Sequence, residues 1–287
     1  MSILDPLKLM LGTVQLGLDY GITNSEGKPS RTEALNILQS AWEKGIRAFD
    51  TAPGYKTEEL LGDFIKAHGI NEQIIISTKI SSLTKSFNFK DQIKESIAKS
   101  LENLNTSLNF LLLHDVCDKN LLISDSKYFE QILNEFEVKN LGVSIYDIED
   151  TQGLNELPFP VSLQFPFNIL DRRFELLQKK EEFFLARSIF LQGILATKKI
   201  NIASPPGLKD LSNSYHNFLD LLKLKPIPLA LSSVFLNEKI DFFLLGVDSE
   251  DSLLEVLNSE IYNKEEIMKV DITDFKDYKA FLDPRNW

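Results

Sequence analysis

Short apolar runs alternate along the chain with longer stretches in which apolar residues recur every three or four positions. The short runs have the length of buried strands, and the longer stretches have the spacing of helices that bury one face. We therefore predict strands at residues 9–14, 47–51, 74–78, 110–113, 140–144, 161–164, 186–190 and 242–246. Helices are predicted at residues 32–44, 57–67, 89–104, 128–137, 173–180, 208–222, 228–236 and 249–257.

The order of these elements indicates how the strands are arranged. Eight strand–helix alternations imply a parallel sheet with crossover helices, and eight such units close into a (β/α)8 TIM barrel. An open doubly wound sheet is the alternative, but no G-x-G-x-x-G motif follows any predicted strand. The sequence therefore favours an α/β barrel that forms a single domain over residues 1–287.

Composition and charge narrow the classes of partner. The chain has 287 residues and a net charge of −11, which argues against nucleic acid or an anionic membrane as the main partner. No stretch approaches the roughly 18 consecutive apolar residues of a membrane span, and residues 1–10 lack the apolar core of a signal peptide. Cys117 is the single cysteine, which fits a reducing compartment. We expect a cytoplasmic protein, a monomer or weak homo-oligomer, that binds a small molecule and no metal.

Four titratable side chains stand at or just after the ends of neighbouring predicted strands. Asp50 ends the second strand, Lys79 follows the third and His114 the fourth, while Tyr55 lies in the loop after Asp50. In barrels of this kind the active site lies at the carboxyl ends of the strands. We therefore expect these four side chains to share one pocket.

The chemistry that suits these groups is proton donation to a carbonyl oxygen. A free tyrosine has a pKa of about 10, and a nearby cation such as Lys79 would lower it. Asp50 could fix the charge and position of Lys79, and His114 could hydrogen-bond the substrate oxygen or relay a proton. Each residue alone could be structural, but four at successive strand ends of one barrel favour a catalytic site.

These residues lie in segments that resemble the aldo-keto reductase family. Residues 49–55 (FDTAPGY) and 58–62 (EELLG) are similar to the family's tyrosine signature, whereas residues 77–79 (STK) and 111–114 (LLLH) resemble its lysine and histidine strands. The resemblance implies Asp50, Tyr55, Lys79 and His114 as the catalytic residues. It also implies hydride transfer from C4 of a nicotinamide, in NADP or NAD, to a carbonyl carbon.

The resemblance runs along most of the chain and implies further binding residues. Those expected to hold the cofactor are Gly12, Thr13, Asp50, Ser144, Gln164, Arg187, Phe190, Leu191, Gln192, Gly193, Gly246, Val247, Asp248 and Ser252. Those expected to face the substrate are Gln15, Asp19, Tyr20, Phe167 and Asn168. Residues 11–21 also resemble a bacterial branch associated with sugar metabolism, which suggests a hydroxylated carbonyl substrate; the polar loop residues could instead be structural.

Two positions depart from the family pattern. Arg187 stands where the family commonly places an aromatic ring under the nicotinamide, so either its planar guanidinium stacks there or it points elsewhere and pairs with a carboxylate. Asp248 stands near a position that is usually basic in members preferring NADP. A carboxylate there would repel a 2′-phosphate and could bind a free ribose hydroxyl, which favours NAD, unless the loop is merely solvated.

Two other functions are compatible with the sequence. The chain could be a regulatory protein that binds a nicotinamide nucleotide without turning it over. It could also be a lyase in which Lys79 forms a Schiff base, although Asp50 would keep that lysine charged and therefore poorly nucleophilic.

Overall fold

Eight parallel strands form a closed barrel in a computed structural model that describes residues 4–24, 26–83, 88–180, 182–197 and 206–287. Each strand pairs with the next one in sequence, and the last pairs with the first. The strands are β1 (Leu9–Gly12), β2 (Ala48–Asp50), β3 (Ile75–Ile80), β4 (Phe110–Leu113), β5 (Asn140–Ser144), β6 (Ser162–Pro166), β7 (Phe184–Arg187) and β8 (Phe242–Gly246). The predicted barrel is confirmed.

Helices surround the barrel, and local sequence explains where several of them begin and end. A capping box of Ser30 and Glu33 starts α2, because each side chain bonds a backbone N–H of the first turn. Gly69, with φ 62°, ends α3 in the left-handed conformation that glycine favours. Within the described residues the helices are α1 (Val14–Gly17), α2 (Arg31–Glu43), α3 (Glu58–His68), α4 (Phe89–Leu104), α5 (Lys119–Ser124), α6 (Ser126–Glu135), α7 (Pro206–Leu222), α8 (Pro226–Phe235), α9 (Glu250–Leu257) and α10 (Lys264–Met268).

The strand–helix alternation is less regular than the sequence suggests. The predicted helix at residues 173–180 is wrong, since only a 3-10 turn, Arg173–Leu176, joins β6 to β7. Phe174 and Leu177 of this segment pack on the main core, whereas Leu176 is 76% exposed. Short 3-10 turns also connect β5 to β6, while both α7 and α8 lie between β7 and β8.

The seventh strand is also displaced from its predicted position. It was predicted at residues 186–190 but occupies Phe184–Arg187. Ser188 has a φ of 60°, and this left-handed conformation ends the extended backbone. The apolar residues beyond it therefore belong to the loop that follows β7.

Alternation along the strands decides which side chains face the interior. Met10, Ala48, Phe110, Leu112 and Leu185 form an apolar cluster separate from the larger one that packs the strands against the helices. Because successive side chains point to opposite faces, residues two positions apart share a side. The last inward-facing position of each strand therefore lies above this cluster, at the carboxyl ends of the strands.

No helix in the described ranges combines the length and apolar character needed to cross a membrane.

Candidate active site

The last inward-facing residues of the strands form the floor of a pocket of about 1060 Å³ at the carboxyl end of the barrel. Those that line it are Gly12, Asp50, Ser144, Gln164, Arg187 and Gly246. Tyr55 and His114, from the loops after β2 and β4, line the same pocket. Three of the four side chains that were predicted to share a pocket therefore line it, whereas Lys79 does not.

A buried ion pair lies at the base of the pocket. The Nζ of Lys79 is 2.6 Å from one carboxylate oxygen of Asp50 and also donates to the carbonyl of Thr51 at 2.9 Å. The other Asp50 oxygen accepts from the Ser77 hydroxyl at 2.9 Å and from the Gln164 amide at 3.0 Å. Lys79 and Asp50 are 1% and 2% exposed, so these bonds replace the water that the charges have lost.

The lysine of this pair stays charged. Burial by itself lowers the pKa of Lys79, but the charges of Asp50 and Tyr55 and their hydrogen bonds raise it above its ordinary value. Its Nζ lies 4.9 Å from the centre of the Tyr55 ring. Lys79 does not line the pocket, but its charge acts on Tyr55 and His114, which do.

His114 faces Tyr55 across the pocket as a neutral imidazole. The two rings are nearly perpendicular, at 88°, with their centroids 6.0 Å apart. Loss of solvent in the recess, followed by the charge of Lys79, lowers the pKa of His114 to about 4. The imidazole is therefore uncharged at neutral pH, although the residue is exposed at the pocket surface.

The loop that carries Tyr55 is fixed by close packing and by a chain of hydroxyl groups. Gly17 passes so near that a Cβ there would lie 2.0 Å from the Tyr55 carbonyl oxygen. The Thr57 hydroxyl bonds the Thr13 hydroxyl at 2.8 Å and the Thr51 hydroxyl at 2.9 Å. Thr13, which was predicted to bind the cofactor, is 1% exposed and instead joins β1 to this loop.

Arg187 points into the pocket beside the ring of Tyr146. One Nη donates to the carbonyl of Ile145 at 3.1 Å, and the guanidinium carbon lies 4.1 Å from the centre of the Tyr146 ring. Arg285, near the carboxyl end of the chain, lies 3.5 Å from the centre of the same ring. Across the described part of the chain, no carboxylate lies within ion-pair distance of Arg187, so the predicted alternative of carboxylate pairing is not observed there.

Three tyrosines converge on this part of the pocket. Burial raises the pKa of Tyr20, and nearby Tyr55 and Tyr146 raise it further, whereas the charge of Arg187 lowers it. Tyr146 was not among the predicted site residues. Its place two residues after Ser144, at the end of a predicted strand, is the signal that could have identified it.

The other end of the pocket is acidic and is built around the first turn of α9. One oxygen of Asp248 accepts from the hydroxyls of Ser249 at 3.3 Å and Ser252 at 3.0 Å. Lys28 contributes a positive charge at this end. The acidic side chains that line it are Glu26, Glu33, Asp248, Glu250, Asp251 and Glu255.

The loop after β1 reaches across the pocket to the loop after β7. The Thr23 hydroxyl donates to the carbonyl of Gln192 at 3.3 Å. Gly193 has a φ of 98°, and a Cβ there would lie 1.9 Å from the Thr23 hydroxyl oxygen. Leu191 and Gln192 also have positive φ, at 46° and 52°, a strained conformation that often marks functional loops. Thr23 was not predicted as a site residue, since nothing in its local sequence shows a contact with residue 192.

The structure brings most of the predicted binding residues to the pocket but not all of them. Those that line it are Gly12, Gln15, Tyr20, Asp50, Ser144, Gln164, Arg187, Phe190, Gln192, Gly193, Gly246, Val247, Asp248 and Ser252. Leu191 does not, because it is fully buried in the apolar cluster that contains Leu195 and Leu208.

Three predicted substrate residues do not line the pocket. Phe167 is 1% exposed and packs in the main core. Asn168 is fully buried, and its side chain bonds the backbone N–H groups of Leu170 and Asp171. Asp19 accepts from the backbone N–H of Lys28 at 2.8 Å and so shapes the β1 loop. The sequence placed all three correctly in loops but could not show which way their side chains turn.

Comparisons with known proteins agree with this architecture. The model of the family described as "Aldo/keto reductase family" matches residues 8–274. Aldo-keto reductase AKR11C1 from Bacillus halodurans superposes with a TM-score of 0.72 at 22% identity, over 93% of each chain. At that identity the likeness shows the fold alone.

Curated relatives match over shorter stretches. Aldo-keto reductase YhdN of Bacillus subtilis is 24% identical over 160 residues, which is 52% of this chain and 48% of that protein. D-threo-aldose 1-dehydrogenase of a Pseudomonas species is 28% identical over 178 residues, covering 50% of this chain and 54% of the relative. The chain thus spans about half the length of the curated relatives it matches.

Proposed function

The chain belongs to the aldo/keto reductase family, and from that premise we propose that it is an NAD(P)H-dependent oxidoreductase that reduces the carbonyl group of an aldehyde or ketone. One observation carries the proposal. A phenol and an imidazole line a single pocket, and a buried lysine–carboxylate pair lies at its base, with Lys79 Nζ 4.9 Å from the Tyr55 ring centre.

Tyr55 is the proposed proton donor to the carbonyl oxygen. A positive charge beside a phenol favours release of its proton, and Lys79 is held charged by Asp50. The same charge is unfavourable for a Schiff-base lyase, which needs a neutral amine. Neutral His114 can hydrogen-bond the carbonyl oxygen and so orient it towards the tyrosine.

The donors and acceptors of the pocket fit a nicotinamide dinucleotide. Gln164 gives its amide N–H to Asp50, which leaves its oxygen free to accept, and the Ser144 hydroxyl lies on the neighbouring strand. The side-chain oxygen of Gln15 is buried without a partner at the pocket wall. When bound, the cofactor supplies the hydride, and these residues would hold its nicotinamide and the adjoining groups.

We further propose that the cofactor is NADH rather than NADPH. Asp248 lies just before Ser249, the N-cap of α9, and the hydroxyls of Ser249 and Ser252 both donate to it. These hydroxyls are therefore engaged, and six acidic side chains line this end of the pocket. A 2′-phosphate would be repelled there, whereas a ribose hydroxyl could donate to Asp248.

Several pocket side chains on the substrate side are polar, which suits a hydroxylated carbonyl compound such as a sugar aldehyde or keto-sugar. Tyr20 and Tyr146 line this region. The similarity to a D-threo-aldose 1-dehydrogenase supports the same class of substrate.

Replacing Tyr55 by phenylalanine tests the proposal. A panel of aldehydes and ketones is assayed with NADH and with NADPH, and we expect Tyr55→Phe to lower kcat about 100- to 10,000-fold, because it removes only the acid. Cofactor Kd should change little. Tyr128→Phe is the matched control, since the Tyr128 hydroxyl bonds the carbonyl of Lys90 outside the pocket.

Two outcomes would contradict the proposal. Retained turnover in Tyr55→Phe would mean that another group donates the proton. Binding of NADH with no oxidation by any carbonyl would indicate a nucleotide-binding regulatory protein instead.

A further inference from the structure

Arg187 places a cation in the mouth of the barrel. It is the last residue of β7, two positions after Leu185, whose side chain belongs to the cluster inside the barrel. Alternation along the strand therefore directs Arg187 inward, and its side chain is half-buried in the pocket wall.

The neighbouring cations each have a carboxylate within ion-pair distance, whereas Arg187 interacts only at longer range with Asp283, which is already paired with Arg285. Lys79 is paired with Asp50 at 2.6 Å, and Arg285 is paired with Asp283 at 2.6 Å. Over the ranges that the structure describes, no carboxylate forms an ion pair with Arg187. Since a partly desolvated charge gains from an opposite charge, this position favours an anionic ligand.

The guanidinium is held in place with donors to spare. It has five N–H donors, of which one is used by the carbonyl of Ile145 at 3.1 Å and one by the Ser188 hydroxyl at 3.5 Å. The ring of Tyr146 fixes its plane from one side. The remaining N–H groups are available to a ligand, and a fixed guanidinium loses little entropy when it binds one.

This cation lies close to the reacting groups. Its charge contributes to the lowered pKa of His114 and acts against the raised pKa of Tyr20. Arg187 lines the same pocket as Tyr55 and His114, so a substrate whose carbonyl oxygen lies between those two residues could contact Arg187 with another part of the same molecule.

We propose that Arg187 binds a carboxylate carried by the carbonyl substrate, so that the preferred substrates are oxo acids or acidic sugars rather than neutral aldehydes. A carboxylate is planar and can accept two parallel bonds from a guanidinium fork. Its single negative charge also matches the charge of Arg187, which has no ion-pair partner among the described residues. The inference rests on the proposed reductase function for turnover, but the binding of the carboxylate can be measured without it.

A pair of probes with the same shape isolates the charge. 4-Carboxybenzaldehyde and 4-formylbenzamide differ in the carboxylate, and oxidised NAD keeps either from being reduced while calorimetry measures its Kd. We expect wild-type protein to bind the acid about 10- to 100-fold more tightly than the amide. Arg187→Gln should abolish this preference, and Arg187→Lys should keep part of it. The ratio of kcat/KM for the two probes with NADH should change in parallel.

Arg285→Gln is the matched control, because it removes the guanidinium on the same Tyr146 ring that is already paired with Asp283. It should leave the acid-to-amide ratio near the wild-type value. A wild-type ratio of the two probe Kd values near one would overturn the proposal. Because this measurement uses wild-type protein only, it holds even if the variants do not fold. The proposal would also be overturned if Arg187→Gln weakened the binding of both probes by the same factor. It would equally be overturned if the variant weakened NADH binding but kept the acid-to-amide ratio, which is the result expected of an arginine stacked under the nicotinamide.

A second pair separates carboxylate from phosphate. If glyceraldehyde 3-phosphate depends on Arg187 when compared with glyceraldehyde, while the acid–amide pair does not, the ligand is a phosphate and the proposal is wrong. If no carbonyl is reduced but the acid still binds through Arg187, the site stands and the proposed reductase function fails.

Discussion

The charged side chains at the two ends of the pocket differ in their burial and in their partners. At the catalytic end, Asp50 and Lys79 come from neighbouring strands, are almost completely buried and neutralise each other. At the α9 end, Asp248 is half-buried, its acidic neighbours are exposed, and its partners are hydroxyl groups rather than a cation. A buried ion pair held by two hydrogen-bonded strands forms a rigid site. A site formed by a loop and a helix terminus can instead be altered by substitutions that lower the free energy of unfolding only slightly.

The comparison predicts that the same kind of change has very different effects at the two ends. Removing one charge of the buried pair leaves the other without water or partner, which is strongly destabilising. Removing a charge at the α9 end leaves groups that water can still reach. The catalytic end should therefore couple stability to activity, and the α9 end should affect selectivity alone.

The largest effect is expected from breaking the buried pair. Lys79→Met leaves the Asp50 carboxylate buried and unpaired, so the free energy of unfolding should fall by about 3–5 kcal/mol, with loss of turnover. Denaturant titration and a carbonyl assay measure the two effects. Lys94→Met is the control, because Lys94 and Glu135 form an exposed pair, and it should cost no more than about 1 kcal/mol.

The double variant Asp50→Asn with Lys79→Met sharpens this result. It removes both charges, so part of the lost stability should return while turnover stays absent. If Lys79→Met kept the full free energy of unfolding, water would be able to reach the Asp50 carboxylate. The contrast between the two ends of the pocket would then be wrong.

A smaller effect is expected at the α9 end. Wild-type protein should bind NADH more tightly than NADPH, and Asp248→Asn should shift the ratio of the two Kd values towards NADPH by about tenfold, or about 1.4 kcal/mol, since it removes a like-charge repulsion. Fluorescence titration measures both constants. Stability should be nearly unchanged, and Glu265→Gln, on α10 outside the pocket lining, should leave the ratio unaltered. A wild-type protein that binds NADPH much more tightly would refute NADH preference.

The smallest effect concerns His114 and pH. Its pKa of about 4 in the folded protein lies below the ordinary value of 6.5, so the unfolded chain takes up this proton first as the pH falls. Its contribution therefore lowers stability progressively between pH 6.5 and pH 4, and the loss levels off below pH 4. In the same range above pH 5, kcat/KM should show no titration of this histidine.

Denaturant titrations of wild type and His114→Gln at several pH values test this prediction. The free energy of unfolding of the variant should fall less between pH 6.5 and pH 4.5 than that of wild type. Equal slopes would mean that solvent in the pocket restores an ordinary pKa to His114, and that the catalytic end is less desolvated than its buried pair.

Most of the barrel could be predicted because its strands are short apolar runs with clear ends. Residues 110–113, 140–144 and 242–246 were predicted as strands and are strands. The predicted helix at residues 173–180 failed although Phe174 and Leu177 do pack on the core, because a 3-10 turn over Arg173–Leu176 places them there without a helix. The seventh strand was misplaced because the left-handed Ser188 has no strong local signal.

The sequence by itself determined the barrel and the residues that follow each strand, because strand length and alternation are local properties. It therefore placed Asp50, Lys79 and His114 at one rim and Tyr55 beside them. Only the tertiary structure decided that Asn168 turns into the backbone of its own loop, that Thr23 meets Gln192 across the pocket, and that Arg187 stacks on Tyr146 without a carboxylate partner in the described chain. These contacts join residues far apart in sequence, or depend on which way a loop side chain turns. A local sequence pattern predicts neither long-range contacts nor the direction of a loop side chain.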